Sequence, residues 1–178
     1  MQFLKDTGFV IKRTNVGEAD KFITLYTQNS GKVEVLGKGV RQIKSRRGGS
    51  IDLLNLVKFN AVKTRVNFIL TDVEVLNTYE YIKNDYASIQ VVFLVCELLN
   101  ALCPLGEVNT NVFILLHKTF KNMDPNHMSR DTFEFQVKLL ESLGFWNIKN
   151  TMNSDQELKN YIESIIEKKV KTKLYFEN

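Results

Sequence analysis

The stretch Gly31–Ser50, GKVEVLGKGVRQIKSRRGGS, decides how the rest of the chain is read. It opens as a strand, with Val33 and Val35 on one side and Leu36 leading out. It closes as a basic loop. Lys38, Arg41, Lys44, Arg46 and Arg47 fall within ten residues, with no acid among them. Gly37, Gly39, Gly48 and Gly49 bracket the cluster and mark it as flexible. Cations this dense repel one another and give little to a core, so the loop reads as a docking surface for a polyanion. A phosphate backbone is the commonest such partner.

Upstream of the loop, Thr7–Thr14 alternates as a strand, Asn15–Glu18 reads as a turn, and Lys21–Thr27 is a second strand. Phe22, Thr24 and Tyr26 lie on one of its faces, Ile23 and Leu25 on the other. Gln28–Gly31 is a hairpin loop ending in glycine, and Lys32–Leu36 is the third strand. Downstream, Leu53–Val62 and Asn67–Val75 supply a fourth and a fifth. Five short strands with a long connection after the third fit a small closed barrel of the OB type. An SH3-like barrel has the same appearance at this level.

The period changes near Tyr79. Tyr86–Cys103, Asn109–Met123 and a segment from Ser129 to Gly144 carry apolar residues at helical spacing. Pro104 with Gly106, and Asp124-Pro125-Asn126, interrupt them. Ser154 reads as the N-cap of a fourth helix, with Glu157 at the capping-box position. This helix is expected to end among Lys168, Lys169, Lys171 and Lys173, whose charges would complement its C-terminus. The fold class is therefore α+β: an N-terminal five-stranded OB-fold barrel followed by a C-terminal α-helical bundle, with domains at 1–80 and 81–178. That boundary follows from the change of period, since no low-complexity linker separates the halves.

The totals agree with a globular chain. Of 178 residues, 44% are hydrophobic and 25% charged. The net charge of +4 is unevenly spread: residues 1–80 hold 13 Lys+Arg against 8 Asp+Glu, and residues 81–178 hold 11 against 12. The basic surplus is confined to the strand-rich half, as in a module that faces nucleic acid. Cys96 and Cys103 sit two turns apart on one helical face, too far for a disulfide within a straight helix, and read as reduced core residues. The apolar run Ile89–Leu105 is broken by Gln90, Glu97 and Asn100, so a buried helix is expected and no membrane partner. No secretory signal is read in MQFLKDTGF.

The order of parts resembles the bacterial recombination mediator family RecO. The run GFVIKRTNVGEADKFITLYTQNSGKVEVLGKGVRQIKSRRGG carries the likeness. A strand ending in the pair Lys12-Arg13 leads to a turn with Gly17, Glu18 and Asp20. FITLYT follows at Phe22–Thr27, and then a loop, KGVRQIKSRRGG, at Lys38–Gly49. In the helical half, LLNALCPLGEVNTNVFILL at Leu98–Leu116 and FEFQVKLLESLGF at Phe133–Phe145 are similar to family segments. The resemblance implies an OB-fold and a helical domain, binding to single- and double-stranded DNA, annealing of complementary strands, and help in loading RecA recombinase. It implies RecR, and possibly RecF, as partners. It also implies docking of the acidic C-terminal tail of single-strand binding protein on the helical half, and a cytoplasmic, nucleoid-associated place in a bacterial cell.

One departure stands out. Many members carry a four-cysteine zinc site after the LLGY-like segment. Here that place reads WNIKNTMNSD, Trp146–Asp155, without cysteine or histidine. No metal and no cofactor is therefore expected.

The DNA-binding candidates are Lys38, Arg41, Lys44, Arg46 and Arg47, extended by Lys12, Arg13 and Lys32, with Lys21 a further member of the same track. A solvated surface is the plainer reading, set against the density of charge. Tyr26, Phe22 and Phe59 are possible stacking platforms for bases, although barrel aromatics are more often core. Glu18 and Asp20 read as turn-capping acids rather than metal ligands. His117 and His127 lack partners at ligand spacing. Phe145-Trp146 reads as a cap on the bundle or a docking surface. No nucleophile elbow, Walker loop or HExxH is present, so no enzymatic activity is expected. The rival readings are an RNA-binding OB or SH3-like module, a protein-only adaptor and, weakest, a metal-dependent nuclease.

Overall fold

A computed structural model describes residues 2–45, 47–123, 128–146 and 154–174. The element order is β1 (Phe3–Val16), β2 (Asp20–Thr27), β3 (Gly31–Gly37), α1 (Arg47–Ser50), β4 (Leu56–Lys63), β5 (Phe68–Asn77), α2 (Glu80–Lys83), α3 (Tyr86–Leu102), α4 (Thr110–Lys121), α5 (Met128–Ser142) and α6 (Asp155–Ile166).

The strands close into a barrel in the order β1-β2-β3-β5-β4, with β4 returning to β1. This is the OB-fold barrel. β3 and β5 pair in parallel through Val35↔Phe68 and Leu36↔Ile69; the other ladders are antiparallel. β1 is long enough to serve two neighbours. Its first half pairs with β4 and its second with β2, and a register shift between Val10 and Lys12 bends it between the two. Val10, Ile23, Leu25, Val35, Val57, Phe59, Ala61 and Leu70 fill the interior.

Strand ends differ from the pattern-based expectation: β1 runs on to Val16, through Asn15 and Val16 that read as turn, β5 runs on to Asn77, and two strand starts move by three residues or more. β1 begins at Phe3 rather than Thr7. β4 begins at Leu56 rather than Leu53, because Leu54 takes φ +70° and the amide of Leu54 and carbonyl of Asn55 bond back to Val10. That local exchange replaces three residues of strand.

Two compact units result. One comprises Met1–Tyr79 with Pro104–Thr110, the other Glu80–Cys103 with Asn111–Asn178. The chain thus leaves the barrel unit and revisits it. Leu105 bridges to Lys32 in parallel, the Gly106 amide donates to the Lys32 carbonyl at 2.8 Å, and the Tyr26 hydroxyl donates to the Asn109 carbonyl at 3.3 Å. Gly31, at φ +66°, lets this segment approach: a Cβ there would stand 2.0 Å from the Glu107 carbonyl oxygen.

In the helical unit α3 is buried on most of its circumference, with Val91, Val92, Val95, Leu98 and Leu99 at 2% exposure or less, as a central helix requires. The Asp85 carboxylate caps it by accepting from the Ser88 amide at 2.7 Å. Ser154 Oγ accepts from the Glu157 amide at 3.2 Å and caps α6 as its sequence foretells. The far end of α6 differs from expectation. The helix stops at Ile166 with Glu167 left-handed at φ 53°, and no basic residue lies in its last turn. The lysines that follow are outside the helix. The Trp146 ring packs edge-on against Tyr161 at 6.1 Å, and the Tyr161 hydroxyl donates to the Phe145 carbonyl at 2.5 Å, so the exit of α5 is tied to α6 while the Phe145 side chain stays exposed.

Candidate nucleic-acid interface

The basic loop is held at its base and open at its tip. Asp20 Oδ1 accepts from the Gly39 amide at 2.8 Å. The Arg41 amide donates to the Ala19 carbonyl at 2.9 Å, and the Arg41 guanidinium to the Gly17 carbonyl at 3.1 Å. These three bonds tie the loop to the β1–β2 turn. The reading of Asp20 as a turn-capping acid fits this contact.

On the other flank Arg47 donates through Nη1 to the Leu70 carbonyl on β5, at 3.2 Å, and through Nη2 to the Lys38 carbonyl, at 3.4 Å. Two apolar residues complete the attachment. Val40 is 3% exposed and Ile51 2%, and both pack into the barrel core. Gly48 passes so close to Val40 that a Cβ would meet its carbonyl oxygen at 2.7 Å. The segment is therefore less free than its glycines imply. Residues Arg47–Ser50 form a helical turn, not a flexible bracket.

Between these attachments lies an open cleft of about 470 Å³ lined by Lys38, Gly39, Gln42, Lys44, Ser45 and Arg47. Its charges are all positive. Lys38, Arg41 and Lys44 are exposed. Among the described residues none of them, nor Arg47, has a carboxylate within ion-pair distance. Arg46 lies outside the described residues. A lining of uncompensated cations, amide and hydroxyl suits a phosphate oxygen, which needs donors and positive potential together.

The remaining candidates separate. Lys12 is exposed on β1, paired with Thr24 of β2. Lys21 is half-buried at the start of β2. Arg13 is engaged with Asp52 at 2.5 Å, which reduces its positive field. Lys32 is only 7% exposed. It also sits near the start of β3, opposite Tyr26, whereas the loop leaves from Gly37 at the strand's other end. Five residues of strand put about 16 Å between them, so Lys32 does not continue the loop's surface.

The stacking candidates are core residues. Tyr26 and Phe59 are each 1% exposed. Phe22 is half-buried. One apolar residue that no periodicity marks stands out instead: Ile43, at the tip of the loop, is wholly exposed at 104%. It has Arg41 and Lys44 as near neighbours in sequence. Among the described residues no group of three or more His, Cys, Asp and Glu is placed to hold a metal ion. His117 is exposed on α4, and His127 lies outside the described residues.

The model described as "Recombination protein O N terminal" matches residues 1–79, and that described as "Recombination protein O C terminal" matches residues 83–148. The chain belongs to the RecO family. It is 28% identical over 152 residues to the DNA repair protein RecO of Acetivibrio thermocellus, covering 82% of this chain and 59% of the relative. It is 29% identical over 143 residues to that of Symbiobacterium thermophilum, covering 78% of this chain and 55% of the relative. The RecO protein of Halalkalibacterium halodurans is 28% identical over 146 residues. The chain thus spans 55–59% of the length of the first two of these relatives. The RecO match includes the whole basic loop and stops short of α6 and the segment after it.

Proposed function

We propose that this RecO-family chain is a non-catalytic DNA-binding recombination mediator. On this reading it anneals complementary strands and, with RecR and possibly RecF, helps load RecA at gaps covered by single-strand binding protein. The observation that carries the reading is the pinned loop, with Lys38 and Lys44 exposed on an open cleft and no carboxylate within ion-pair distance of either, and with Arg41 exposed beside it. Such a surface neutralises phosphates without reading bases, so it treats all sequences alike. Shielding the charge of two strands at once lowers their repulsion and lets them pair. The chemistry asks for no nucleotide, metal or nucleophile in this chain.

Among the described residues no helix is long and apolar enough to cross a membrane. The reading puts the chain at the nucleoid in the cytoplasm. The acidic tail of single-strand binding protein is assigned to the helical unit, where an apolar groove beside a cation would receive it.

The test is a salt titration of oligothymidylate binding. Replacing Lys38, Arg41, Lys44 and Arg46 by Gln removes about four phosphate contacts, so the log–log slope falls by roughly 3. The same variant should anneal complementary oligonucleotides coated with single-strand binding protein more slowly. A slope equal to that of the parent chain would rule the loop out as the DNA contact. Competition with RNA of the same length separates this reading from an RNA-binding module.

A further inference from the structure

We propose that residues 168–173, KKVKTK, form a second phosphate-backbone contact, a strip of lysines displayed by the helical unit. The proposal rests on the DNA-binding reading of the loop. It concerns a segment beyond both matched family regions, which end at residue 148.

The segment has neither helix nor strand structure, yet it is tightly fixed. The Glu97 carboxylate on α3 accepts from the Lys171 amide at 2.8 Å, the Thr172 amide at 2.9 Å and the Thr172 hydroxyl at 2.7 Å. The Glu163 carboxylate on α6 accepts from the Val170 amide at 3.0 Å and from Lys169 Nζ at 2.6 Å. Val170 is buried. Two carboxylates and one valine therefore clamp the backbone.

The clamp sets where the lysines go. Exposure alternates along the segment: Lys169, Lys171 and Lys173 are exposed, Val170 is buried and Thr172 half-buried. A period of two belongs to extended chain, which rises about 6.6 Å for every two residues. Lysines on alternate residues thus stand in a row at roughly twice the 3.4 Å spacing of phosphates along one strand of a duplex. Lys168 adds a fourth exposed cation at the near end.

Two acids lie along this row and offset part of its charge, but four lysines face two carboxylates and the row stays net positive. Glu97 is spent on backbone and hydroxyl donors, and Glu163 takes Lys169 alone. Among the described residues Lys168, Lys171 and Lys173 have no carboxylate within ion-pair distance. A clamped row of cations is prepared for a polymer of regularly spaced anions, because the entropy of arranging it is lost on folding and not on binding.

The test compares four proteins: the parent chain, a strip variant (Lys168→Gln, Lys171→Gln, Lys173→Gln), a loop variant (Lys38→Gln, Arg41→Gln, Lys44→Gln) and the combination. The strip substitutions are at exposed side chains and leave the clamp's amide donors in place, and equal urea midpoints check the fold. The probe is fluorescein-labelled oligothymidylate, read by anisotropy across salt. The strip variant should lower the log–log slope by about 2 for its three contacts, and the loop variant by a further 2 in the combination. A second strip variant with arginine at the same three positions should restore the slope. A strip variant indistinguishable from the parent chain, with the loop variant weakened, overturns the strip and leaves the loop reading intact. A weakened strip variant beside an unaffected loop variant does the reverse. Binding of an acidic peptide to the parent chain that is lost in the strip variant, with no change of slope for the nucleotide polymer, assigns the row to a protein partner and also overturns the proposal.

Discussion

The Asp20 carboxylate accepts the amide proton of Gly39 at 2.8 Å and so joins the β1–β2 turn to the root of the cationic loop. An acid here lowers the net positive charge of the surface it supports, so its structural and electrostatic effects oppose each other. Asp20→Ala removes one hydrogen bond to a charged acceptor at a half-exposed site, a loss of about 1 kcal/mol. It also raises net charge by one. If loop order matters, oligothymidylate affinity falls despite the added charge. A rise in affinity, measured by anisotropy at fixed salt, would mean that charge alone governs binding.

Arg47 and Lys44 carry the same charge within one cleft but have different duties. Lys44 is exposed with no ion pair, so Lys44→Gln should change stability by less than about 0.5 kcal/mol while weakening DNA binding. Arg47 bonds the carbonyls of Leu70 and Lys38. Arg47→Gln should therefore cost about 1–2 kcal/mol of unfolding free energy, measured in urea, as well as affinity.

Gly31 at φ +66° faces the Glu107 carbonyl, 2.0 Å from where a Cβ would be. Gly31→Ala combines left-handed strain with a backbone clash and should destabilise the barrel unit by about 3 kcal/mol. Calorimetry should show the loss. Amide exchange at Gly106, whose N–H bonds the Lys32 carbonyl, should speed up with it. A fully stable Gly31→Ala chain would mean that the Pro104–Thr110 segment does not need this approach.

The Glu97 carboxyl feels opposing influences. Partial burial pushes its pKa up, while the Lys171 and Thr172 donors and the Lys171 charge pull it down, and the net result lies below the ordinary 4.5. The native state thus favours the ionised form. The stabilisation is full above the unfolded value and is lost as pH falls through the lower folded value. Protection factors of the Lys171 and Thr172 amides should therefore hold at pH 6 and fall as pH drops below the ordinary carboxylate range. Glu97→Ala should remove that pH dependence and expose Lys168–Lys173 to trypsin. An unaltered exchange profile in Glu97→Ala would show that the clamp is not formed.

Cys96 is buried on α3, and burial raises its thiol to about 12. The thiolate that reacts with disulfide reagents is then scarce at neutral pH. Labelling of native Cys96 should be slow and should track unfolding. Immediate labelling in the folded chain would contradict the buried central helix.

The strand count, the long connection after β3, the helical half and the Ser154 cap are all legible in the sequence, because each depends on local period or a short capping pattern. Alternation reports which residues face inward, and helical spacing does the same for α3, α4, α5 and α6. The cation cluster is legible for the same reason: charge density is a property of composition. What periodicity does not carry is contact between distant segments. The start of β4 moved to Leu56 because Leu54 and Asn55 bond to Val10. The lysines beyond Ile166 look like a helix end in the sequence, and only Glu97, more than seventy residues earlier, draws them into a clamped strip.

Sequence alone therefore determined the class of the fold, the family to which the chain belongs and the place where positive charge gathers, since these follow from order, spacing and composition along the chain. Tertiary structure decided which cations are available. It buried Lys32, paired Arg13 with Asp52, turned Arg47 toward backbone carbonyls and left Lys38 and Lys44 in the open. The reason is physical: a side chain's charge belongs to the residue, but its exposure and partners belong to whichever distant segments the fold brings beside it.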